Sequence, residues 1–457
     1  MRTAAVILAA GHGTRIHSKT PKVLFPLLGQ PIIRYVVETA SQATGSRPIL
    51  VIGRDEVEVK QVIGAAADFA VQGSRLGTGD ALRQAEDLLR GHADLILAIA
   101  GDMPLLSPET LNLLVEKHVE RQARQQNTWL PMTMLTVLST DSRGYGRVLR
   151  DADGEVQSVV EEADASPGQL AVHELNASVY CFDANWLWEA LPRLQMSAGG
   201  EYYLTELVDV AVKEGLQVQA IQISDPSEAV GINTRVHLAE AEKILRKRVN
   251  QALMLAGVSI INPEVTYIEP DVEIGQDTVI WPNTYLQGKT KIGEGCTIGP
   301  NSILRDTKVG DRSQIIASML EKAVVEDDVE IGPFARLRKG AHLAQSVHMG
   351  NFGEIKNSYL GPGVKMGHFS YIGDATIGAE VNIGAGTITC NFDGQKKNPT
   401  HIGEGAFIGS DTMLVAPVEL GEGARTGAGS VVTKDVPAYS LAVGIPARII
   451  RKFRKDK

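Results

Sequence analysis

Two neighbouring segments in the N-terminal half hold residue types that suit the binding of a polyphosphate. A glycine-rich loop runs from Gly11 to Arg15, directly after an apolar run, and Pro21-Lys22 follows it closely. Glycine-flanked backbone amides can face phosphate oxygens, while the Arg15 and Lys22 side chains neutralise the negative charge. No GKS or GKT follows the loop, and its glycines lack the GxGxxG spacing, so neither a Walker A loop nor a dinucleotide site is indicated. A tight turn without a ligand is the alternative.

An acidic residue, Asp102, lies in the segment Gly101-Asp102-Met103-Pro104, which follows an apolar run from Asp94 to Ala100. A carboxylate at the end of a buried strand suits Mg²⁺, a cation that binds carboxylate and substrate phosphate oxygens together. The alternative is a turn aspartate close to a proline. The position after a buried strand favours the metal site.

The C-terminal half holds a different set of reactive residue types around one histidine, His368. Histidine suits the deprotonation of an attacking amine because its unperturbed pKa lies near physiological pH. Basic side chains nearby suit a phosphorylated substrate. His342, His348 and His401 compete for the same role, and a surface position for His368 is the remaining alternative. The polar residues that cluster with His368 in the sequence are Arg336, Arg338, Lys356, Lys365, Tyr371 and Asn382.

The N-terminal candidates require a sheet whose strands end at one edge. Apolar runs alternate with helical patterns along this half, which predicts a mostly parallel sheet with helices on both faces. Ligands of such sheets bind at the carboxyl ends of the strands, where both candidate loops fall. The predicted strands are 4–10, 49–52, 69–71 and 94–100, and the predicted helices begin at Pro31, lie near 55–66 and span 78–89.

The C-terminal candidates lie on a sequence repeat with a period of six. An aliphatic residue returns at every sixth position from Ile268 to Leu304, a period that is neither helical nor that of an isolated strand. It predicts a triangular parallel β-helix over roughly 258–445, with the aliphatic side chains inside. Function on a repetitive scaffold is expected where the repeat breaks. The predicted breaks are a loss of phase around 348–356, a protruding polar insertion over 389–400, and a five-residue step from Ile372 to Ile377.

A helical pattern separates the two halves. Its apolar stripe includes Leu238, Ala241 and Leu245, and Gly257 follows it as a candidate left-handed cap. The predicted domains are therefore 1–233, a linker helix over 234–257, and a β-helix domain over 258–457.

The motifs in both halves resemble those of known transferases. Leu8-Ala9-Ala10-Gly11-x-Gly13-Thr14-Arg15 with Pro21-Lys22, followed by Gly101-Asp102-x-Pro104, resembles the signature of the sugar-phosphate nucleotidyltransferases. Gly367-His368-x-x-Tyr371-x-Gly373-Asp374 resembles the hexapeptide-repeat acetyltransferases. Over essentially its whole length, the chain is similar to one branch of these families, the bacterial bifunctional N-acetylglucosamine-1-phosphate uridylyltransferase / glucosamine-1-phosphate N-acetyltransferases.

This resemblance implies an α/β, Rossmann-like nucleotidyltransferase domain followed by a left-handed parallel β-helix of hexapeptide repeats. UTP and N-acetylglucosamine-1-phosphate would be the substrates of the first domain, with Asp102 and Asn233 as ligands of Mg²⁺. The sugar phosphate would contact Gly146, Glu161, Asn176 and Asn233. The uridine nucleotide would contact Leu8, Ala9, Ala10, Gly11, Arg15, Lys22, Gln72, Gly77, Thr78, Ala100, Gly101 and Asp102.

In the second domain, the resemblance implies that His368 deprotonates the amine of glucosamine-1-phosphate for attack on acetyl-CoA, with Glu354 orienting this pair. Two positions depart from the family pattern. Phe392 stands where better-known relatives have tyrosine, and Ile445 where some have an arginine, whose charge Arg448 would supply instead. The sugar phosphate would contact Arg338, Lys356, Tyr371 and Asn382. Acetyl-CoA would contact Ala385, Asn391, Phe392, Ser410, Ala428 and Arg448.

Composition limits the partners that this protein is expected to have. A net charge of −9 argues against nucleic-acid binding as the main function, and the three widely separated cysteines give neither a disulfide framework nor a CxxC metal site. The N-terminal apolar run is too short to export the chain or span a membrane, so a cytoplasmic protein is expected. β-Helix acyltransferases are usually trimers, so a homotrimer is expected as well.

Two other functions are alternatives to a bifunctional enzyme. One is a nucleotidyltransferase with a single activity, whose β-helix only oligomerises or senses metabolites, and the other is a non-enzymatic regulatory subunit. The cluster of His368 and Lys356 argues against the first, because a purely structural β-helix needs neither. The presence of Arg15, Lys22 and Asp102 argues against the second.

Overall fold

The computed structural model describes residues 1–11, 13–54, 56–124, 129–197 and 199–453, so His12 of the glycine-rich loop lies outside the described residues. The chain forms two compact units, Met1–Ile244 and Leu245–Lys457.

The N-terminal unit is built on a mixed sheet with a parallel core. Adjacent strands that begin with Leu95, Thr3, Ile49 and Asp68 pair in parallel, as predicted. The strand Glu174–Asp183 is antiparallel to both of its neighbours. A hairpin of Arg147–Arg150 and Val156–Val160 joins the sheet beside it. Apart from this hairpin, the strands of the sheet follow one another from edge to edge in the order Val218–Gln222, Met132–Leu138, Glu174–Asp183, Leu95–Ala100, Thr3–Leu8, Ile49–Gly53 and Asp68–Gln72.

Helices cover both faces of this sheet, which confirms the predicted layering. Alternate residues of the first strand point to opposite cores: Ala5 and Ile7 join one hydrophobic cluster and Val6 joins the other. The helix predicted over 78–89 is divided in two, because the amides of Gln84 and Ala85 bond three residues back rather than four. The α-helices are Ile32–Thr44, Val57–Ile63, Thr78–Arg83, Glu86–Leu89, Pro108–Arg124, Pro167–Leu170, Ala184–Ala190, Glu206–Lys213 and Arg235–Leu255. Single 3₁₀ turns lie at Thr14–Ile16, Lys22–Leu24, Gly64–Ala66, Glu162–Asp164, Leu191–Arg193, Pro226–Ala229 and Pro263–Val265, and a small strand pair at Pro26–Leu27 and Gln30–Pro31.

The C-terminal unit is the predicted parallel β-helix, with short strands stacked into three sheets. The first sheet contains Ser259–Ile260, Val279–Ile280, Thr297–Ile298, Gln314–Ile315, Glu330–Ile331, His348–Met349, Lys365–Met366, Asn382–Ile383, Phe407–Ile408, Arg425–Thr426, Ser440–Gly444 and Ala447–Lys452. The second contains Tyr267–Ile268, Tyr285–Gln287, Ile303–Arg305, Met319–Glu321, Arg336–Leu337, Gly353–Lys356, Ser370–Gly373, Ile388–Cys390, Met413–Val415 and Val431–Val432. The third contains Glu273–Ile274, Lys291–Ile292, Lys308–Val309, Val324–Val325, His342–Leu343, Tyr359–Leu360, Ala375–Ile377, Thr400–Ile402 and Val418–Leu420.

The interior of the β-helix is filled by the aliphatic residues of the repeat, most of them fully buried. The predicted loss of phase around 348–356 is wrong, because Met349 and Ile355 are both 0 % exposed and lie on regular strands. The five-residue step from Ile372 to Ile377 marks no break either, since both residues are buried in paired strands. The polar insertion does leave the coil, and Phe392 pairs across it with Lys397.

The predicted linker helix is present as Arg235–Leu255 and is followed by Gly257 with a positive φ of 99°, as a left-handed cap requires. Its early part contributes to the N-terminal unit, where Glu240 accepts a hydrogen bond from Arg143. Its later part belongs to the C-terminal unit, where Asn250 is fully buried and donates to the carbonyl of Thr266.

Candidate functional sites

The two predicted loops of the N-terminal unit meet at the carboxyl ends of neighbouring parallel strands. The amide of Gly101 donates to the carbonyl of Leu8 at 2.9 Å. This bond joins the loop after Leu95–Ala100 to the loop after Thr3–Leu8. A Cβ on residue 101 would lie only 3.0 Å from the Cβ of Ala9. Glycine at this position therefore allows the two loops to touch.

The side chain of Lys22 connects the candidate phosphate loop with the candidate metal ligands. Its Nζ lies 2.5 Å from Asp102 Oδ2 and 3.0 Å from Asn233 Oδ1. Asn233 reaches this position because the preceding amide, of Ile232, donates to the carbonyl of Asp102. Gly13, with a φ of 58°, leaves room for Lys22, whose Cβ would be 2.7 Å from a Cβ at position 13.

This arrangement fits a divalent cation supported by substrate. Asp102 and Asn233 converge on one cationic centre, now the Lys22 ammonium, and a carboxylate and an amide oxygen are the donors that Mg²⁺ prefers. Within the described ranges, no group of three or more His, Cys, Asp or Glu side chains could hold a metal. A cation here would therefore take its remaining ligands from water and substrate phosphate, as Mg²⁺ commonly does.

The predicted nucleotide-binding residues around Gln72 form a tightly bonded loop after the edge strand of the sheet. The buried Gln72 amide donates to the Gly77 carbonyl at 3.0 Å and to Asp80 Oδ2 at 2.9 Å. Thr78 Oγ1 accepts from the amide of Leu204. A Cβ at position 77 would lie 2.6 Å from the Tyr202 carbonyl, and its φ is 97°, so only glycine fits. These bonds give the loop a fixed shape.

The predicted sugar-binding residues Gly146, Glu161 and Asn176 form a second group. The backbone amide of Asn176 donates to the Gly146 carbonyl, and a Cβ on Gly146 would lie 3.6 Å from Glu161 Oε2. Burial raises the pKa of the Glu161 carboxyl, which a hydrogen bond from Thr205 Oγ1 partly offsets. The side-chain amide of Asn176, through Nδ2, donates to Tyr180 Oη at 2.6 Å. Carboxylate and amide oxygens at this site suit sugar hydroxyl groups.

The remaining loop residues differ in exposure. Ala9 and Ala10 are buried, Leu8 and Ala100 are partly buried, and Gly11 is exposed. Arg15 is exposed, and its Nη1 would lie 3.5 Å from a Cβ on Gly144, next to the sugar-binding group. An exposed guanidinium here can neutralise the phosphates of either substrate.

Sequence reasoning missed Tyr145, which ties the sugar-binding segment to the metal-binding one. Its Oη donates to the Ala229 carbonyl at 2.6 Å and accepts from the Gly231 amide at 2.7 Å. Burial, with a smaller contribution from the Asp102 charge, raises the pKa of this phenol. Its place between Gly144 and Gly146 was the available signal, but a tyrosine between glycines says nothing about a partner so distant in sequence.

In the β-helix, four predicted residues form one column along a corner of the prism. His368, Ala385, Ser410 and Ala428 each lie three positions after a paired residue of the first sheet, so they occupy the same place on successive coils. Backbone bonds hold the column: Asp411 donates to the Ala385 carbonyl, and Gly429 to that of Ser410. The small side chains of Ala385, Ser410 and Ala428 leave a narrow open strip of surface, here called the lane, beside the exposed His368. An elongated ligand can lie along this lane.

The competing histidines have different surroundings. His342 Nε2 lies 2.7 Å from Glu326 Oε1, and His348 Nδ1 lies 2.9 Å from Glu330 Oε2. His401 is exposed on a strand of the third sheet, away from this column. Two of the three competitors thus have a glutamate partner on the neighbouring coil.

Arg338, Lys356 and Tyr371 lie on or just after strands of the second sheet. Arg338 Nη1 donates to Glu354 Oε1 at 2.9 Å, so the contact seen for Glu354 is with this arginine. Lys356 is opposite Gly373 in the register, and the Tyr371 hydroxyl covers the same glycine, 2.4 Å from where a Cβ would be. These side chains share one surface of the prism.

Asn382 is not part of that surface. It lies on the first sheet, where Ile383 points inward and Asn382 outward. Outward side chains on different faces of a prism diverge, so the structure does not bring Asn382 together with Lys356 within one chain. The predicted sugar-phosphate contacts therefore fall on two separate surfaces: Arg338, Lys356 and Tyr371 on one, and Asn382 on the other.

The predicted acetyl-CoA residues outside the column lie on the insertion and at the C-terminus. The Asn391 amide donates to Asp374 Oδ2 at 2.6 Å, which fixes the base of the insertion. The exposed Phe392 ring is covered on one side by Lys397 Nζ, 4.7 Å from the ring centroid. Arg448 is exposed and pairs with Val443, the residue before Gly444, which continues the column on the next coil.

Comparison with known proteins agrees with this division into two parts. The family model described as "Nucleotidyl transferase" matches residues 4–226, and "Bacterial transferase hexapeptide (six repeats)" matches residues 271–306 and 399–434. A relative from Geotalea uraniireducens named "Bifunctional protein GlmU" is 44% identical over 99% of this chain and 99% of its own length. A relative of the same name from Exiguobacterium is 44% identical over 97% of both chains, and one from Streptococcus agalactiae is 42% identical over 97% of this chain and 95% of its own.

Proposed function

This chain belongs to the GlmU family of bifunctional proteins, and from that premise we propose which residues carry each of its two reactions. It is an enzyme of UDP-N-acetylglucosamine synthesis. The C-terminal β-helix acetylates glucosamine-1-phosphate with acetyl-CoA, and the N-terminal unit transfers UMP from UTP to N-acetylglucosamine-1-phosphate, releasing pyrophosphate. The observation that carries this assignment is a family match over the whole chain, with a cluster of candidate residues in each half.

In the N-terminal unit, the proposed chemistry is positioning and charge neutralisation. The attacking oxygen of the sugar-1-phosphate is already ionised near neutral pH, so no general base is needed for in-line displacement at the α-phosphate of UTP. Lys22 and Arg15 would neutralise the phosphates, and the loop of Gln72 and Gly77 would hold the uridine. Gly146, Glu161 and Asn176 would orient the sugar.

The proposed metal of this unit is Mg²⁺, held by Asp102 and Asn233. Family membership is consistent with a divalent metal requirement, and the convergence of these two oxygens on the Lys22 ammonium supports the placement. When bound, Mg²⁺ would supply positive charge to the phosphate oxygens. Lys22 would then turn from its present partners towards phosphate.

In the β-helix, His368 is the proposed general base. It would take a proton from the amine of glucosamine-1-phosphate as the nitrogen attacks the thioester carbonyl of acetyl-CoA. Collapse of the tetrahedral intermediate would break the carbon–sulfur bond and release CoA, whose sulfur takes up one proton overall. Arg338, Lys356 and Tyr371 would hold the sugar phosphate. The column of Ala385, Ser410 and Ala428, with Asn391, Phe392 and Arg448, would hold acetyl-CoA.

The proposed assembly is a homotrimer with acetyl-transfer sites shared between subunits. The position of Asn382 on a different face from Lys356 supports it, because a neighbouring copy can bring the two faces together. A cytoplasmic location is proposed with it. Among the described residues, no helix is long and apolar enough to cross a membrane.

The test of the proposed function separates the two reactions. Acetyl transfer is measured as release of free thiol from acetyl-CoA with glucosamine-1-phosphate, without UTP. The parent is expected to release thiol and His368→Ala to lose this activity, while the same variant still releases pyrophosphate from UTP and N-acetylglucosamine-1-phosphate. No thiol release from folded parent protein would mean that the β-helix is only a scaffold, as the single-activity alternative holds.

A further inference from the structure

One guanidinium spans the carboxyl ends of three adjacent strands beside the glycine-rich loop. Arg75 follows the strand that ends at Gln72, and Gln72 pairs in register with Gly53 of the next strand. Beyond Gly53 lies the end of the first strand, which continues into Ala10. Neither Arg75 nor its partner Glu56 belongs to the residues that the proposed function uses.

The contacts of Arg75 reach both neighbouring strand ends. Its Nε donates to the Ala10 carbonyl at 2.6 Å, and its Nη2 lies 3.3 Å from Glu56 Oε1. Glu56 is 7% exposed and accepts the Gly53 amide on its other oxygen at 2.8 Å. A carboxylate buried to this extent needs a cationic partner, which Arg75 provides. The guanidinium contacts one oxygen of Glu56 and the Gly53 amide the other, so the position of the pair is fixed.

Gly53 has no side chain, and Arg75 fills the space that a side chain would take. A Cβ on residue 53 would lie 2.4 Å from Arg75 Nη2. The backbone of Gly53 does not have a positive φ, so other residues can adopt its conformation. The glycine is therefore needed by the guanidinium and not by the chain itself.

We propose that Arg75 is a positioning residue for the nucleotide, acting through the peptide bond between Ala10 and Gly11. In a planar trans peptide the C=O and the following N–H point in opposite directions. By fixing the Ala10 carbonyl on the side of Arg75, this contact directs the Gly11 amide away from it, to the side where a ligand is accessible. The inference rests on the proposed function of this loop as the uridine nucleotide site.

The test compares Arg75→Gln and Gly53→Ala with the parent. Binding of UTP with Mg²⁺ is measured by calorimetry without sugar phosphate, and KM is measured for each substrate of UMP transfer. Arg75→Gln should weaken UTP binding and raise its KM about tenfold, the size expected for one charge-assisted hydrogen bond. Gly53→Ala, which keeps every charge but displaces the guanidinium, should act in the same direction. The KM for N-acetylglucosamine-1-phosphate should stay within about twofold.

A matched control is Arg90→Gln, since Arg90 also joins a glutamate, Glu86, to a backbone carbonyl, that of Trp188. This control should leave UTP binding unchanged. Equal changes in both KM values, or unchanged UTP binding in folded Gly53→Ala and Arg75→Gln, would overturn the proposal. The double variant Glu56→Gln, Arg75→Gln removes the buried charge if Arg75→Gln alone is unstable, and should still bind UTP weakly. A parent that binds UTP but transfers no UMP would refute the proposed function alone.

Discussion

If the acetyl-transfer site is shared between subunits, two inactive variants should restore each other when they are mixed. The suitable pair is Lys356→Ala and Asn382→Ala, because these residues lie on different sheets of the prism. Each variant alone should lose acetyl transfer by about 100-fold, the order expected for the loss of a charged or hydrogen-bonding contact in an active site. The N-terminal unit of both variants remains unchanged.

The expected recovery follows from counting the subunits around each site. A working site needs Lys356 from one subunit and Asn382 from its neighbour. In trimers assembled from equal amounts of the two variants, each condition is met in half of the cases, so about one quarter of the sites are complete. Sites built within a single chain would always carry one of the two substitutions, so the recovery would be zero.

The assay is thiol release after co-expression of the two variants with different affinity tags and purification through both tags. UMP transfer by the same sample serves as the measure of enzyme amount. Double-tag selection removes the uniform trimers, so the recovered activity should rise to about one third of the parent. Activity no higher than that of the single variants, in trimers shown to contain both chains, would refute the shared site.

Three further predictions concern the N-terminal unit. Lys22→Gln removes the cation between Asp102 and Asn233, so kcat/KM for UMP transfer should fall by about 100-fold or more. Thiol release should stay at the parent rate. Equal loss of both activities would contradict this role. Tyr145→Phe removes two hydrogen bonds to the backbone and leaves the Gly231 amide unpaired. The free energy of unfolding of this unit should therefore fall by ~2 kcal/mol, as measured by denaturant unfolding. An unchanged denaturation midpoint would contradict this prediction. Burial lowers the pKa of His118 from 6.5 to about 4, so the unfolded chain takes up the proton first as pH falls. Stability should be complete above pH 6.5 and drop by ~3 kcal/mol towards pH 4, and His118→Gln should flatten this dependence; an unchanged profile in the variant would rule His118 out as its source.

The β-helix could be predicted closely because its signal is carried by one residue type at one spacing. Each aliphatic side chain has a single place to go, the interior of the prism, so the period of the sequence becomes the period of the fold. The predicted break around 348–356 failed for the same reason. Met349 and Ile355 are regular interior residues, and the polar segment between them is an ordinary corner. Polarity at a corner carries no information, because corners face solvent.

The N-terminal site could be predicted only in part, because its contacts are of two kinds. Loops that follow parallel strands must meet at one edge, so the proximity of the glycine-rich loop to Asp102 follows from the strand order alone. The contacts of Tyr145 and Arg75 do not follow from it. Each depends on where a long side chain ends after packing, and each joins the backbone of a segment distant in sequence.

The surroundings of His368 on the β-helix distinguish it from the other histidines. Sequence leaves several histidines as candidates, and burial does not separate them, since His342, His348 and His368 are all at least partly exposed. Their neighbours on adjacent coils do separate them. On a neighbouring coil, each of the other two has a glutamate within hydrogen-bond distance. Glu330 is the register counterpart of His348, and Glu326 follows the counterpart of His342, Val324, by two residues. For His368 the counterpart is Asn351 on the preceding coil and Ala385 on the following coil, and the column continues with Ser410 and Ala428. From Ala385 onward these residues are too small to cover the ring. A histidine that the scaffold leaves accessible along such a lane is placed to meet a ligand, which is the property that a general base requires.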